Sequence, residues 1–477
     1  MQKFLIIILL NLLFYFKTLS YGYTSDDCDV PKDKPKGRLK QLYILFRSKA
    51  LFNAPIEHLM SLVTHTLVCS LIYVAFGMNN ISFWAAMLFS INPANLMGAV
   101  QLSSRHYATT TVMILLGYKF VILFPILYLG TLIFGFNPAL LPMVFYGSPY
   151  WWFILLIPLW AFLRLKHLPK DWIAKRFDVN NASKTMIKMD FNKVIIGFKT
   201  LCYYTCFCLF PKKRGMYHDF LYTYAIRKDD NAQWLHFDKW FWGGVLILFT
   251  FITKILFYPS PINIGLLWWL SGIIFWCNIL PSIQQPVAER YVYLANAGLM
   301  YVLAYMVFNI PDVTIRAFII SAIFIGYLVR SYIELPAFKD NQRFLDYNVA
   351  EFNFPKQYFA WTIKGEYELF TMQDWAKGLD SFRNAHLARK VCSRINFRLA
   401  YVLGALSRFE EALYHFDLAV KNPMEGFEDT RQDIAITSFR QGLEEGLKKQ
   451  KDAIRQTEQN NRPKTEGLEK SGNPGKR

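Results

Sequence analysis

The apolar residues of this chain come in blocks. Runs of about 17 to 22 residues recur from the N-terminus to about residue 332, and each matches the length needed to cross a ~30 Å hydrocarbon core. Few folds are open to a chain patterned in this way. Backbone inside a bilayer must satisfy its own hydrogen bonds, so open sheets are excluded and helices are expected throughout. The expected class is all-α, a polytopic α-helical membrane protein. With 53% hydrophobic and 17% aromatic residues among 477, and a mean hydropathy of +0.19, the composition is too apolar for a soluble chain of this size.

The net charge of +18 would fit a nucleic-acid partner. Its distribution argues otherwise. Lys and Arg lie in the loops between apolar runs and in the last 35 residues, where membrane topology and anionic lipid explain them. Of the seven Cys, Cys202, Cys206 and Cys208 sit in an apolar run and read as small buried thiols. No zinc-type spacing or disulfide framework is present.

Residues 1–19 carry Lys3 and then the run Phe4 to Phe16. A cleaved signal peptide would look similar. Lys17 at the end of the run, and Tyr21-Gly22-Tyr23 in place of a small-x-small cleavage site, favour an uncleaved anchor. Residues 22–56 then form a first external loop. It holds Asp26 and Asp27, with Asp29 close by, and an amphipathic stretch from Leu39 to Leu51 suited to lying in the interface. Ten further spans are expected near 57–77, 82–97, 105–118, 121–136, 151–166, 192–210, 239–257, 262–280, 291–309 and 313–332, about eleven in all. Pro93 interrupts 82–97, Lys193 and Lys199 interrupt 192–210, and 105–136 also reads as one bent helix.

An odd number of spans places the C-terminus outside when the N-terminus is inside. The basic loop 164–193 then falls inside, as the distribution of Lys and Arg requires. The loop 211–238, with Lys212, Lys213 and Arg214, falls outside against that rule, which marks either a different topology or a functional basic patch.

After residue 335 the chain becomes polar and helical. Phe382 and Phe416 are 34 residues apart, as are Leu379 and Leu413, and Ala385 and Ala419. That period, with Ala412, Phe416, Ala419 and Pro423, fits tetratricopeptide repeats (TPR) across 336–443, with Gly378 where Ala is expected. Such units pack on neighbours because one alone cannot bury its apolar face. Residues 444–477 are rich in Lys, Glu, Gln and Asn and read as a disordered tail.

Four polar groups stand at span boundaries. Asp26 and Asp27 suit a general base acting on a hydroxyl, or oxygen ligands for a divalent ion; a solvated acidic loop would look the same. Ser103-Ser104-Arg105-His106 holds an Arg that could snorkel to headgroups. Arg214, Tyr217, His218 and Asp219 lie in the basic loop. Glu289 and Arg290 precede the span at 291–309, where a lone charge would be expensive and a pair is expected. The alternation of spans puts all four on one face, with the repeats. Acids near a hydroxyl and cations near a phosphate suit glycosyl transfer from a lipid phosphate. His58 and His65, seven residues apart on one helical face, read as structural rather than metal-binding.

Taken together these elements resemble the transmembrane and TPR-containing glycosyltransferases of the GT-C class, over about residues 1 to 423. Tyr23-Thr24-Ser25-Asp26-Asp27 is similar to the aromatic-x-x-Asp-Asp that follows the first span there. Glu57-His58-Leu59 to His65 is similar to the second-span His-Leu…His stretch, and Asn92-Pro93 to Ser104-Arg105 to the His-Pro…Ser-Gly-Arg segment. Val287-Ala288-Glu289-Arg290-Tyr291-Val292-Tyr293-Leu294 with Gly298 is similar to the Ala-Glu-Arg-Tyr-Leu-Tyr-Leu-Pro…Gly signature. Asn92, Ser104, His106-Tyr107 and Ala295 depart from the pattern.

The resemblance implies a polyprenyl-phosphate sugar as substrate, no tightly bound metal or other cofactor, and an Asp of the first external loop, Asp26 or Asp27, as base. It implies donor-phosphate binding by Arg105, Glu289 and Arg290; His218 is added from the topology. The repeats would present a polypeptide acceptor bearing Ser or Thr. Two other readings stand beside it. One is a non-catalytic membrane TPR scaffold binding envelope proteins; the other is a flippase for a lipid-linked precursor, against which the scarcity of charges within the spans counts. The expected location is a bacterial inner membrane with the repeats on the periplasmic side. Two glycosylation sequons, at Asn80 and Asn181, fall inside on this topology.

Overall fold

The computed structural model describes residues 1–24, 53–131, 140–167, 191–210, 237–277, 288–350, 358–388, 390, 393–421 and 430–460. Every regular element among them is helical. Contacts divide the chain into two compact units, Met1–Ile363 and Lys364–Arg477.

The first unit begins with α1 (Gln2–Tyr15), continued by a 3-10 turn over Phe16–Ser20. Next come α2 (Ala54–Ala75), α3 (Asn80–Ile91), the short α4 (Leu96–Val100), α5 (Arg105–Lys119) and α6 (Phe124–Gly130). They are followed by α7 (Leu156–His167), α8 (Phe191–Leu209), α9 (Lys239–Phe257), α10 (Ile262–Ile273), α11 (Tyr293–Phe308), α12 (Val313–Glu334) and α13 (Asn341–Ala350).

Five of these segments are long and apolar enough to cross a membrane: Gln2–Ser20, Ala54–Ala75, Lys239–Phe257, Glu289–Phe308 and Val313–Phe338. Among the described residues the chain is therefore all-helical, with several long apolar helices compatible with a multi-pass membrane protein. A sixth span forms if α3 and the segment Pro93–Val100 are counted together, across a bend of 62°. The bend has a local cause. Asn92 is extended, its Oδ1 accepts the Ala94 N–H at 2.8 Å, and Pro93 cannot continue α3. The expected segments at 121–136, 151–166, 192–210 and 262–280 contain shorter apolar helices. Helix and turn also separate 105–118 from 121–136, because α5 stops at Lys119 and a new helix starts at Phe124.

Lys199, a charge inside an apolar run, is buried against Asp238 at 3.0 Å. Asp238 also caps α9, accepting from the N–H groups of Trp240 and Phe241. One carboxylate thus closes a helix end and neutralises a cation on the neighbouring helix. At the centre of the unit α10 and α11 lie in close contact through Gly265 and Gly298. A Cβ at Gly298 would stand 2.5 Å from the Gly265 oxygen and 2.7 Å from Trp268 Cβ. Small residues permit this approach of two apolar helices. Cys202 and Cys208 are buried free thiols, as their setting suggested.

The second unit starts within α14 (Tyr358–Phe370) and continues with α15 (Trp375–Ala388), α16 (Ser393–Ala405), α17 (Phe409–Lys421) and the long α18 (Thr430–Asn460). Phe382 and Phe416 are buried at equivalent places in α15 and α17, with Ala385, Ala412 and Ala419 beside them. Gly378 has a reason to lack a side chain: a Cβ there would meet Leu369 Cβ at 3.3 Å and the Gly365 oxygen at 3.4 Å.

Candidate functional site

Asn53 caps α2, accepting the Ile56 N–H at 3.3 Å, and Pro55 pre-sets the first turn. Glu57 therefore lies in the first turn of a membrane-spanning helix, at its positive end. Arg105 opens α5. Its guanidinium donates to Glu57 Oε2 at 2.6 Å and to the Glu57 carbonyl at 3.3 Å, with both side chains buried. Each charge makes the burial of the other tolerable.

His58, the next residue, donates through Nε2 to the Gly22 carbonyl at 3.1 Å. Gly22 in turn donates its N–H to the Lys339 carbonyl at 2.8 Å. The segment leaving α1 is thus held beside Glu57. Asp26 and Asp27 lie outside the described residues, as does His218.

The start of α11 comes to the same place. Glu289 is buried and Arg290 half-buried, in the 3-10 turn that precedes the helix. The guanidinium carbon of Arg290 lies 5.4 Å from the centre of the Tyr291 ring. Tyr291 stacks on Trp276, with ring centres 4.1 Å apart. Arg290 donates a hydrogen bond to the hydroxyl of Tyr107, two residues along α5 from Arg105. The His106 ring lies 4.1 Å from that of Tyr107. Of the residues singled out from the sequence, Arg105, Glu289 and Arg290 are thereby gathered at one end of the helices.

His65 lies deeper in α2. Its Nε2 donates to the Ser90 carbonyl at 3.1 Å, and its Nδ1 accepts from the Tyr293 hydroxyl at 2.5 Å. Tyr15 also donates to the Ser90 carbonyl, at 2.8 Å, and Ser90 Oγ donates to Asn11 Oδ1 at 2.9 Å. His65 therefore ties α1, α2, α3 and α11 together. Among the described residues no group of three or more His, Cys, Asp or Glu is placed to hold a metal ion.

Chemically, this end of the unit offers one half-buried guanidinium, Arg290, framed by aromatic rings. Beside it stands a second guanidinium, Arg105, whose charge Glu57 balances. A guanidinium is a group able to bind an oxyanion such as a phosphate. Glu57 as counter-ion, Tyr107 as the link between the two Arg segments, and Trp276 under Tyr291 were not singled out from the sequence for these roles. The usable signal was Glu57 itself, a charge entering an apolar span, which requires a partner. In comparisons with protein-family models, curated proteins and solved structures, the chain matches none.

Proposed function

We propose that the chain is an integral membrane glycosyltransferase of GT-C type. It moves a sugar from a polyprenyl-phosphate donor to a hydroxyl acceptor, a Ser or Thr of a polypeptide, on the non-cytoplasmic face of a bacterial inner membrane. The observation that carries this reading is the meeting of Glu57, Arg105, Tyr107 and Arg290 at one end of the helices, with the segment that leads to Asp26 and Asp27 tied there through His58 and Gly22.

In this scheme Asp26 or Asp27 takes the proton of the acceptor hydroxyl as that oxygen attacks the anomeric carbon. The bond from that carbon to the phosphate oxygen breaks, and the polyprenyl phosphate leaves with the bonding pair. Arg290 stabilises the charge on the leaving phosphate, aided by Arg105 and His218, and Glu289 orients the Arg290 segment. Eleven spans would put the C-terminal helices on the same side. Helices α14 to α17, with their recurring Phe and Ala, support a pair of TPR-like units that present the acceptor.

The test is transfer from a polyprenyl-phosphate sugar by the purified chain and by the Asp26→Asn/Asp27→Asn double variant. Loss of transfer at unchanged expression supports the reading, and unchanged transfer sinks it. One observation favours a second reading: the pairing of Arg105 with Glu57 is what a purely structural brace requires. A non-catalytic scaffold binding envelope proteins through its repeats would tolerate the double Asp variant and fail when the exposed faces of α14 to α17 are changed.

A further inference from the structure

Helices α2, α5 and α9 carry their polar clusters near their N-terminal ends. Their other ends, at Ala75, Lys119 and Leu256, line a cavity of about 700 Å³. It is separate from the site around Arg105. Arg105 and Lys119 are the first and last residues of α5, a helix of 15 residues and so roughly 22 Å long.

Two features of the cavity determine what it can hold. One wall is apolar, with Val144, Phe145, Ile264 and Leu267, while Lys119, Ser148 and Ser260 contribute polar groups. Among the described residues that line it, Lys119 is the only charged one. The surroundings fix its depth. Tyr146, Tyr150, Trp151, Trp152 and Tyr258 are exposed about this end of the helices, Trp151 at 60% and Tyr258 at 59%. Exposed Trp and Tyr gather at the level of lipid headgroups. Lys254, over the ring of Tyr258 at 5.3 Å, adds a second cation to this belt.

A cavity at headgroup level, half apolar, with one cation and no acid among the described residues lining it, matches one kind of guest. We infer that it is a binding site for an anionic glycerophospholipid, its phosphate against Lys119 and its acyl chains along Val144, Ile264 and Leu267. Basic pockets between spanning helices take anionic headgroups in this way. The inference is independent of glycosyl transfer and needs only the membrane-spanning fold. The bound lipid would join the ends of α2, α5, α9 and α10.

The test uses the full chain purified in detergent and its thermal unfolding. Phosphatidylglycerol should raise the unfolding temperature saturably, phosphatidylcholine much less, and inorganic phosphate not at all. Lys119→Gln should shift the phosphatidylglycerol midpoint upward about fivefold, the effect of one lysine near a charged surface. Lys17→Gln, at an exposed lysine at the other end of the helices, should leave it unchanged. Equal responses to the two lipids, or equal shifts in the two variants, would overturn the inference. So would stabilisation by inorganic phosphate alone, which would make the cavity an anion site. If Lys119→Gln does not fold, the wild-type chain still decides the matter. Mass spectrometry should find a retained phospholipid after detergent washing, and a Leu267→Trp variant, which fills the apolar wall, should lose it; retention by that variant overturns the inference.

Discussion

Arg105 and Glu57 meet across 48 residues of sequence, guanidinium to carboxylate at 2.6 Å, with side chains 4% and 0% exposed. The pair fastens the start of α5 to the start of α2 at the end where the candidate site lies. Buried pairs have a characteristic mutational signature. Removing one partner strands the other charge and costs about 3–5 kcal/mol, whereas replacing both with apolar groups of similar size is close to neutral. Arg105→Met and Glu57→Leu should each lower the unfolding temperature and the yield of folded protein in detergent. The double variant should recover most of the loss. Additive losses in the double variant would mean that the two side chains do not depend on each other.

Arg290 carries the proposed reaction rather than the fold. It is half-buried against the Tyr291 ring, and the rings of Tyr107 and Tyr291 also meet each other directly, with centres 6.1 Å apart. Arg290→Gln should lower transfer by about 10²–10³-fold, the scale of losing one donor aimed at developing charge. Thermal stability should change by less than for Arg105→Met. Arg290→Lys should restore part of the rate, since the charge returns but the forked geometry does not. An equal loss of stability in Arg290→Gln and Arg105→Met would assign Arg290 to the architecture instead.

How much of this could be read from the residues depends on whether the physics is local. Apolar run length is local, and the helical membrane class followed from it. So is the effect of Pro93, where the chain bends by 62°. So is that of Pro125: α5 stops at Lys119, and α6 starts at Phe124 with Pro125 in its first turn, where the missing N–H cannot continue a preceding helix. Long-range pairing is not local. Lys199 made 192–210 look doubtful as a span, and its partner Asp238 lies 39 residues away. Glu57 and Arg105 were each visible as charges at span boundaries, but nothing in either neighbourhood names the other. Asp26, Asp27 and His218, central to the proposed chemistry, lie outside the described residues, so the site rests on Glu57, Arg105, Tyr107 and Arg290.

The contact of α10 with α11 offers a test of the packing. A methyl group at Gly298 would fall 2.5 Å from the Gly265 oxygen and 2.9 Å from the Trp269 nitrogen, so the helices must part to admit it. Forced overpacking of this kind costs typically about 1–3 kcal/mol. Gly298→Ala should destabilise the chain by that order. Gly326→Ala, where a Cβ meets nothing within 4 Å, should be neutral or slightly stabilising because Ala favours the helix. The comparison is a pair of thermal melts in one detergent, and indistinguishable melts would mean that the two helices are less tightly joined.

In the second unit, His415 Nδ1 donates to Asn396 Oδ1 at 2.9 Å, and Asn396 Nδ2 donates to the Lys390 carbonyl at 2.8 Å. The rings of His386 and His415 meet edge to face, with centres 4.9 Å apart. Burial first, and then His386 and Arg383, push the His415 imidazole down to about 4 against an upward pull from Glu411. His386 is lowered too, by burial first and then by Lys390, against the Asn396 hydrogen bond. Both rings are therefore neutral in the folded unit at neutral pH. The unfolded chain binds protons at these positions from about pH 6.5 downward, so the unfolded state gains protons that the folded state refuses. Stability contributed here is complete above about pH 6.5. It falls as the pH is lowered and levels off near the folded value of His415, about 4. Hydrogen exchange of α15 and α17 in the full chain should show protection that is flat from pH 8 to 6.5, after correction for intrinsic exchange, and that declines below. A His386→Phe/His415→Phe variant should flatten that decline. The same decline in the double variant would place the acid sensitivity in other residues of the unit.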